Sequence, residues 1–117
     1  MKLIVMGACC AVVAMTSAAA PTYAQDGTQA RSLAATCFTC HGNEGRSVGG
    51  VPPSLAGRGR NELLQVLKEF QSGKRPATIM HQHAKGYTDR QLELIAAYFA
   101  GVKPMPASGA PAARGGS

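Results

Sequence analysis

The sequence predicts an all-α fold, and three observations carry that prediction. Apolar residues recur at three- and four-residue spacings in three separate stretches, the signature of helices with one buried face. No stretch alternates apolar and polar residues as a half-buried strand does. The chain is also short of core material, with no Trp, three Phe and three Tyr in 117 residues. Domains this thin lean on a disulfide framework, a metal or a bound group to hold them together.

The elements follow in chain order. Residues 1–24 read as a secretory leader, with Lys2, an apolar run from Leu3 to Met15, and small residues up to Ala24. The run falls short of the roughly 20 residues that cross a bilayer. Attachment of lipid at Cys9 is disfavoured because too little apolar sequence precedes it. Cleavage after Ala24 places Thr22 and Ala24 at the two positions that need small side chains. It leaves 93 of the 117 residues, with Cys37 and Cys40 as the remaining cysteines. Met80 and Met105 are the remaining methionines, and eleven basic side chains face six acidic ones. Export implies an oxidising compartment, here the periplasm. A disulfide between Cys37 and Cys40 would close too small a loop to stabilise much.

Residues 25–102 form the expected domain. "DGTQARSLAAT" predicts a short helix capped by Asp26 or Thr28, with Ala30, Leu33, Ala34 and Cys37 on one stripe. Gly42 to Gly59 is rich in Gly and Pro and predicts a loop. "NELLQVLKEFQSG" predicts a helix capped by Asn61, with Leu63, Leu64, Leu67 and Phe70 on its apolar face and Gly73 as terminator. "KRPATIMHQHAKGY" has no clear period, and Pro76 argues for an extended loop. Thr88-Asp89-Arg90-Gln91 is a capping box, opening a helix with Leu92, Ile95, Ala96 and Phe99 in stripe and Gly101 at its end. Residues 103–117 make a tail rich in Pro, Gly and Ala, expected to be disordered.

The chemistry concentrates in Cys37-Phe38-Thr39-Cys40-His41. A thioredoxin-type dithiol needs a βαβ context, which this chain lacks. A structural zinc site needs four ligands, and His81 and His83 are two residues apart in a Pro-containing segment. The remaining reading of Cys-x-x-Cys-His is covalent attachment of haem c. Two thiols one helical turn apart match the two vinyl groups, and the adjacent His41 becomes the proximal axial ligand. The macrocycle also supplies the apolar interior that the sequence omits. For the second axial position the candidates are Met80, Met105, His81 and His83. Met80, between two helices, is preferred over Met105 in the tail. Histidine ligation would lower the potential relative to a thioether, which favours Fe(II).

"CFTCHGNEG", "PPSLAG", the Met80 segment and a helix ending "AAYFAG" together resemble the class I c-type cytochromes. "FQSGKRPATIMHQHAKGYTDRQLELIAAYFAG" is similar to the monohaem cytochrome subunit of flavocytochrome c sulfide dehydrogenases. The resemblance implies a few short helices wrapped around one covalent haem. It assigns Cys37 and Cys40 to the thioether bonds, His41 to the proximal and Met80 to the distal iron position. It matches Pro53 to the residue whose carbonyl accepts from the histidine Nδ1–H, a bond that orients the ring and raises its donor strength. It matches Leu55 to an apolar residue packed on the haem. His83 stands where many relatives carry an apolar side chain and is read as a surface change.

An iron with both axial positions filled by protein has no place for substrate, so the expected function is one-electron transfer rather than catalysis. The resemblance implies an FAD-bearing sulfide-oxidising partner. Two alternatives stay open: a free-standing cytochrome donating to an oxidase or another periplasmic redox protein, and a peroxidase or sensor in which Met80 dissociates. Arg58, Arg60, Lys74, Arg75 and Lys85 flank the loops expected around the haem rim and suggest steering of an acidic partner. Nucleic acid is excluded by export and by the lack of a recognition motif. No membrane span is expected after cleavage.

Overall fold

The computed structural model describes residues 22–106, with side chains from residue 25. Of the leader expected over residues 1–24, residues 1–21 lie outside the described residues, as does the expected tail 103–117 beyond residue 106. Within them the chain is all-α, with four helices: α1 (Thr22–His41), α2 (Arg60–Gln71), α3 (Met80–Lys85) and α4 (Asp89–Gly101). A tight turn at Asn43–Gly45 follows α1.

Helix α4 is the hub. Its capping box is present: Thr88 Oγ1 accepts from the Gln91 N–H while the Gln91 side chain accepts from the Thr88 N–H. The stripe beneath the cap buries Leu92, Ile95, Ala96 and Phe99 almost completely. These residues pack with Ala34 of α1 and Leu63 of α2 into one core, so α4 lies against both helices while α3 rests on α2. Phe38, Tyr98 and Phe99 extend the core as a ring cluster with centroids 5.3–6.2 Å apart. Edge-on and tilted arrangements at such distances suit the ring quadrupoles.

Three boundaries differ from the sequence reading. Helix α1 is not capped at Asp26 or Thr28 but runs from Thr22 through the Cys-x-x-Cys-His motif, with Asp26 paired instead to Arg90 of α4. Helix α2 is capped at Gly59 rather than Asn61. The Leu63 N–H bonds to the Gly59 carbonyl at 3.0 Å, which starts the helical ladder two residues early. At its other end Gly73, at φ +77°, terminates the helix as expected. The Met80 segment is not wholly extended. Pro76 keeps its first part irregular, but Met80–Lys85 contains neither Pro nor Gly and closes into a helical turn that stops at Gly86.

Candidate functional site

A cleft opens into the middle of the fold between α1, α2, α3 and the segment that follows the tight turn. Its walls include Cys37, Cys40 and His41 from α1 and Leu63, Val66, Leu67 and Phe70 from α2. Met80 and His83 of α3 line it too, as do Pro52, Pro53 and Leu55 of the connecting segment. The apolar stripe that the sequence assigns to the α2 core therefore does two jobs. Leu63 is buried in the core, while Leu67 remains partly exposed toward the cleft.

Local bonding fixes the α1 end of the site. Gly42 N–H caps the helix on the Phe38 carbonyl at 3.0 Å, and Gly45 N–H returns to the Gly42 carbonyl at 2.8 Å. The Gly45 carbonyl then gathers three donors: the N–H groups of Leu55 (2.8 Å) and Ala56 (3.1 Å) and the hydroxyl of Ser54 (2.8 Å). Gly45 sits at φ +75°, and a Cβ there would lie 2.6 Å from the Phe99 ring, so both its backbone and its packing require glycine. The stitch brings Pro53 beside the motif, where its carbonyl lies 2.7 Å from His41 Nδ1.

That contact sets the tautomer of His41. A carbonyl can only accept, so Nδ1 carries a hydrogen, and in the neutral ring the lone pair is then on Nε2. His41 is 7% exposed, and its free nitrogen belongs to a ring that lines the cleft. Cys37 and Cys40 are free thiols on the same helix. Burial pushes the Cys37 thiol above its ordinary value, partly opposed by its contact with Thr36. A half-buried thiol, an exposed thiol one turn on and an oriented imidazole make a donor set suited to tethering and ligating a flat apolar group. The apolar cleft beside them completes the fit to haem c.

The family model for cytochrome c matches residues 24–103. The chain belongs to the cytochrome c family. Family membership implies haem c, iron and electron transfer rather than catalysis. This cytochrome is 42% identical over 67 residues to the cytochrome subunit of sulfide dehydrogenase from Chlorobaculum tepidum, covering 57% of this chain and 60% of that one. It is 38% identical over 80 residues to cytochrome c4 of Pseudomonas aeruginosa, covering 68% of this chain and 40% of that one. Cytochrome c-554(548) of Halomonas halodenitrificans is 33% identical over 67 residues, with 55% and 81% covered. The cytochrome thus spans 60% and 40% of the length of the first two relatives, less than two thirds of each.

The sequence-predicted residues Cys37, Cys40, His41, Met80, Pro53 and Leu55 all reach the one cleft. His83 is exposed, as a surface position would be, and stands at the edge of the cleft, which it also lines; His81 and Met105 do not line it. The predicted basic ring divides. Arg58 and Arg75 line the cleft but are paired with Glu62 and Glu69, and Arg75 also lies over the Phe70 ring at 5.6 Å. Arg60, Lys74 and Lys85 are exposed.

One element of the site escaped the sequence reading. Tyr87 lines the cleft, and its hydroxyl lies 2.7 Å from Thr36 Oγ1. Thr36 donates its own hydrogen to the Leu33 carbonyl at 3.0 Å, so Tyr87 is the donor in this pair. The bond clasps the segment after α3 to the helix that carries the cysteines. An aromatic hydroxyl just ahead of a capping box was the available signal.

Among the described residues no helix is long and apolar enough to cross a membrane.

Proposed function

We propose that this chain is an exported monohaem carrier of single electrons and the electron-accepting subunit of a sulfide-oxidising flavocytochrome. Cys37 and Cys40 would hold the haem through thioether bonds, and His41 Nε2 and Met80 Sδ would be the protein's ligands to its iron. Bound haem c supplies the Fe(II)/Fe(III) couple. Pro53 holds the His41 proton on Nδ1, so the ring keeps its orientation and donor strength through each change of charge. Leu55, Leu63, Leu67 and Phe70 keep water from the apolar part of the cleft, which limits the solvent rearrangement that accompanies electron transfer.

The observation that carries this reading is the 2.7 Å contact between His41 Nδ1 and the Pro53 carbonyl, made in a cleft that both cysteines and Met80 also line. The likeness to the cytochrome subunit of sulfide dehydrogenase supports a sulfide-oxidising partner subunit; the FAD on that partner and the periplasmic setting follow from the sequence resemblance and the expected leader. The likeness to cytochrome c-554(548), most of whose length this chain covers, favours a free-standing carrier as the second reading. Copurification of the native protein with an FAD-containing chain decides between them.

A pyridine haemochrome spectrum with an intact mass tests the site as a whole. The expected result is a c-type spectrum and the mass of residues 25–117 plus one haem. A colourless folded product with the mass of polypeptide alone overturns it. Met80→Ala is expected to abolish the thioether-to-iron charge-transfer band and Met105→Ala to leave it in place. The opposite result assigns the wrong sulfur.

A further inference from the structure

Helix α3 presents two ligand-bearing side chains to the cleft. Met80 and His83 are three residues apart, which puts them on one helix face, and both line the cleft while His81 does not. The His83 ring makes no hydrogen bond or ion pair with the described residues, in contrast to the tethered ring of His41. Both of its nitrogens are therefore available.

The helix is held unevenly. At its C-terminal end Tyr87 is clasped to Thr36 at 2.7 Å, and the Tyr87 carbonyl accepts from Gln71 Nε2 at 2.8 Å. Ala84 is buried at 1% exposure. At its N-terminal end α3 has no side-chain cap. Among the described residues, the last backbone N–H to find a carbonyl before the helix is that of Arg75, on Glu69 at 3.2 Å. The N–H groups of Ala77, Thr78 and Ile79 make no backbone bond within the fold. A six-residue helix anchored at one end and slack at the other can tilt about its anchored end.

We propose that His83 is a second distal ligand, exchanging with Met80 on the iron by a tilt of α3 about the Tyr87–Thr36 clasp. This rests on the reading of Met80 as the resting distal ligand. In the exchange the Met80 sulfur–iron bond breaks and a bond from a His83 ring nitrogen forms, with no electron or proton consumed. A thioether favours Fe(II) and imidazole lowers the potential, so His83 gains on Met80 when the iron is oxidised. The loaded protein would then hold a low-potential form in reserve.

The test uses the haem-loaded ferric protein at neutral pH, read by electron paramagnetic resonance and visible absorption. Met80→Ala is expected to give a low-spin, doubly nitrogen-ligated iron, and Met80→Ala/His83→Gln a high-spin one. Met80→Ala/His81→Gln stays low-spin. A high-spin Met80→Ala protein overturns the exchange and leaves Met80 as ligand intact. A Met80→Ala protein that keeps the thioether band overturns the Met80 assignment itself, and the exchange with it. If the Met80 variants accumulate poorly, the same comparison is made without them. The wild-type protein and His83→Gln are titrated with mild denaturant past the loss of the thioether band. A nitrogen-ligated low-spin form in the first and a high-spin form in the second support the exchange; identical spectra overturn it.

Discussion

The two sides of the cleft are built to different standards. On the α1 side each turn of chain is tied: Gly42 to Phe38, Gly45 to Gly42, and Ser54, Leu55 and Ala56 to Gly45, with His41 held against Pro53. On the α3 side, the run from Ala77 to Ile79 donates no backbone hydrogen bond among the described residues, and the short helix that follows lacks a side-chain cap. The difference teaches that the fold holds His41 and the turn after the cysteines tightly, and leaves Met80, the proposed distal ligand, on an element that needs few contacts to be broken before it moves. Local opening is cheapest where bonded backbone is sparse.

Gly45→Ala is the strongest way to break this comparison. It forces a Cβ to within 2.6 Å of the Phe99 ring at a φ of +75°, and overpacking with backbone strain should cost about 3 kcal/mol. The expected readout is a lower denaturation midpoint of the haem-loaded protein. A loss below about 1 kcal/mol would show that the proximal side yields more readily than its bonding suggests. Tyr87→Phe comes next. Losing its hydroxyl contact with Thr36 should cost about 1 kcal/mol. The thioether band should then disappear at lower denaturant than global unfolding, which separates local distal opening from loss of the fold. Coincident transitions would mean that the clasp does not govern the distal side. Smallest is Arg90→Gln, which removes exposed pairs to Asp26 and Glu93 on neither side of the cleft. Its effect on the midpoint should stay within about 0.5 kcal/mol, and the thioether band should be unchanged.

The sequence made the attachment motif and α4 legible because both are local. Cys-x-x-Cys-His carries its chemistry within one helical turn, and Thr88 to Gln91 form a cap that needs no tertiary partner. The stripe of α4 predicts the core residues for the same reason, whereas of the α2 stripe only Leu63 is buried, Leu64 and Leu67 pack against the core half-buried and Phe70 lines the cleft. What stayed hidden was set at long range. The carbonyl of Gly45 collects donors from residues 54–56, and Tyr87 meets Thr36 across 51 residues of chain. No local pattern records such pairings. Pro76 misled the reading of the Met80 segment, because a proline bars helix near itself but not four residues later. The place of Pro53 came through the resemblance, since Pro52-Pro53 alone reads equally well as a turn. His83 is the exposed position that the sequence reading expected; what that reading missed is that α3 closes into a helix and sets it on the same face as Met80.

The three donors on the Gly45 carbonyl also pinch the neck of a small excursion of chain. Val48 and Val51 stand 84% and 88% exposed upon it, and a Cβ at Gly49 or Gly50 would meet no atom within 4 Å. A spin label or an electrode linker mounted at Val48 is therefore mechanically insulated from the histidine a few residues away. The protein offers a ready point for wiring or distance measurement that leaves its redox centre untouched.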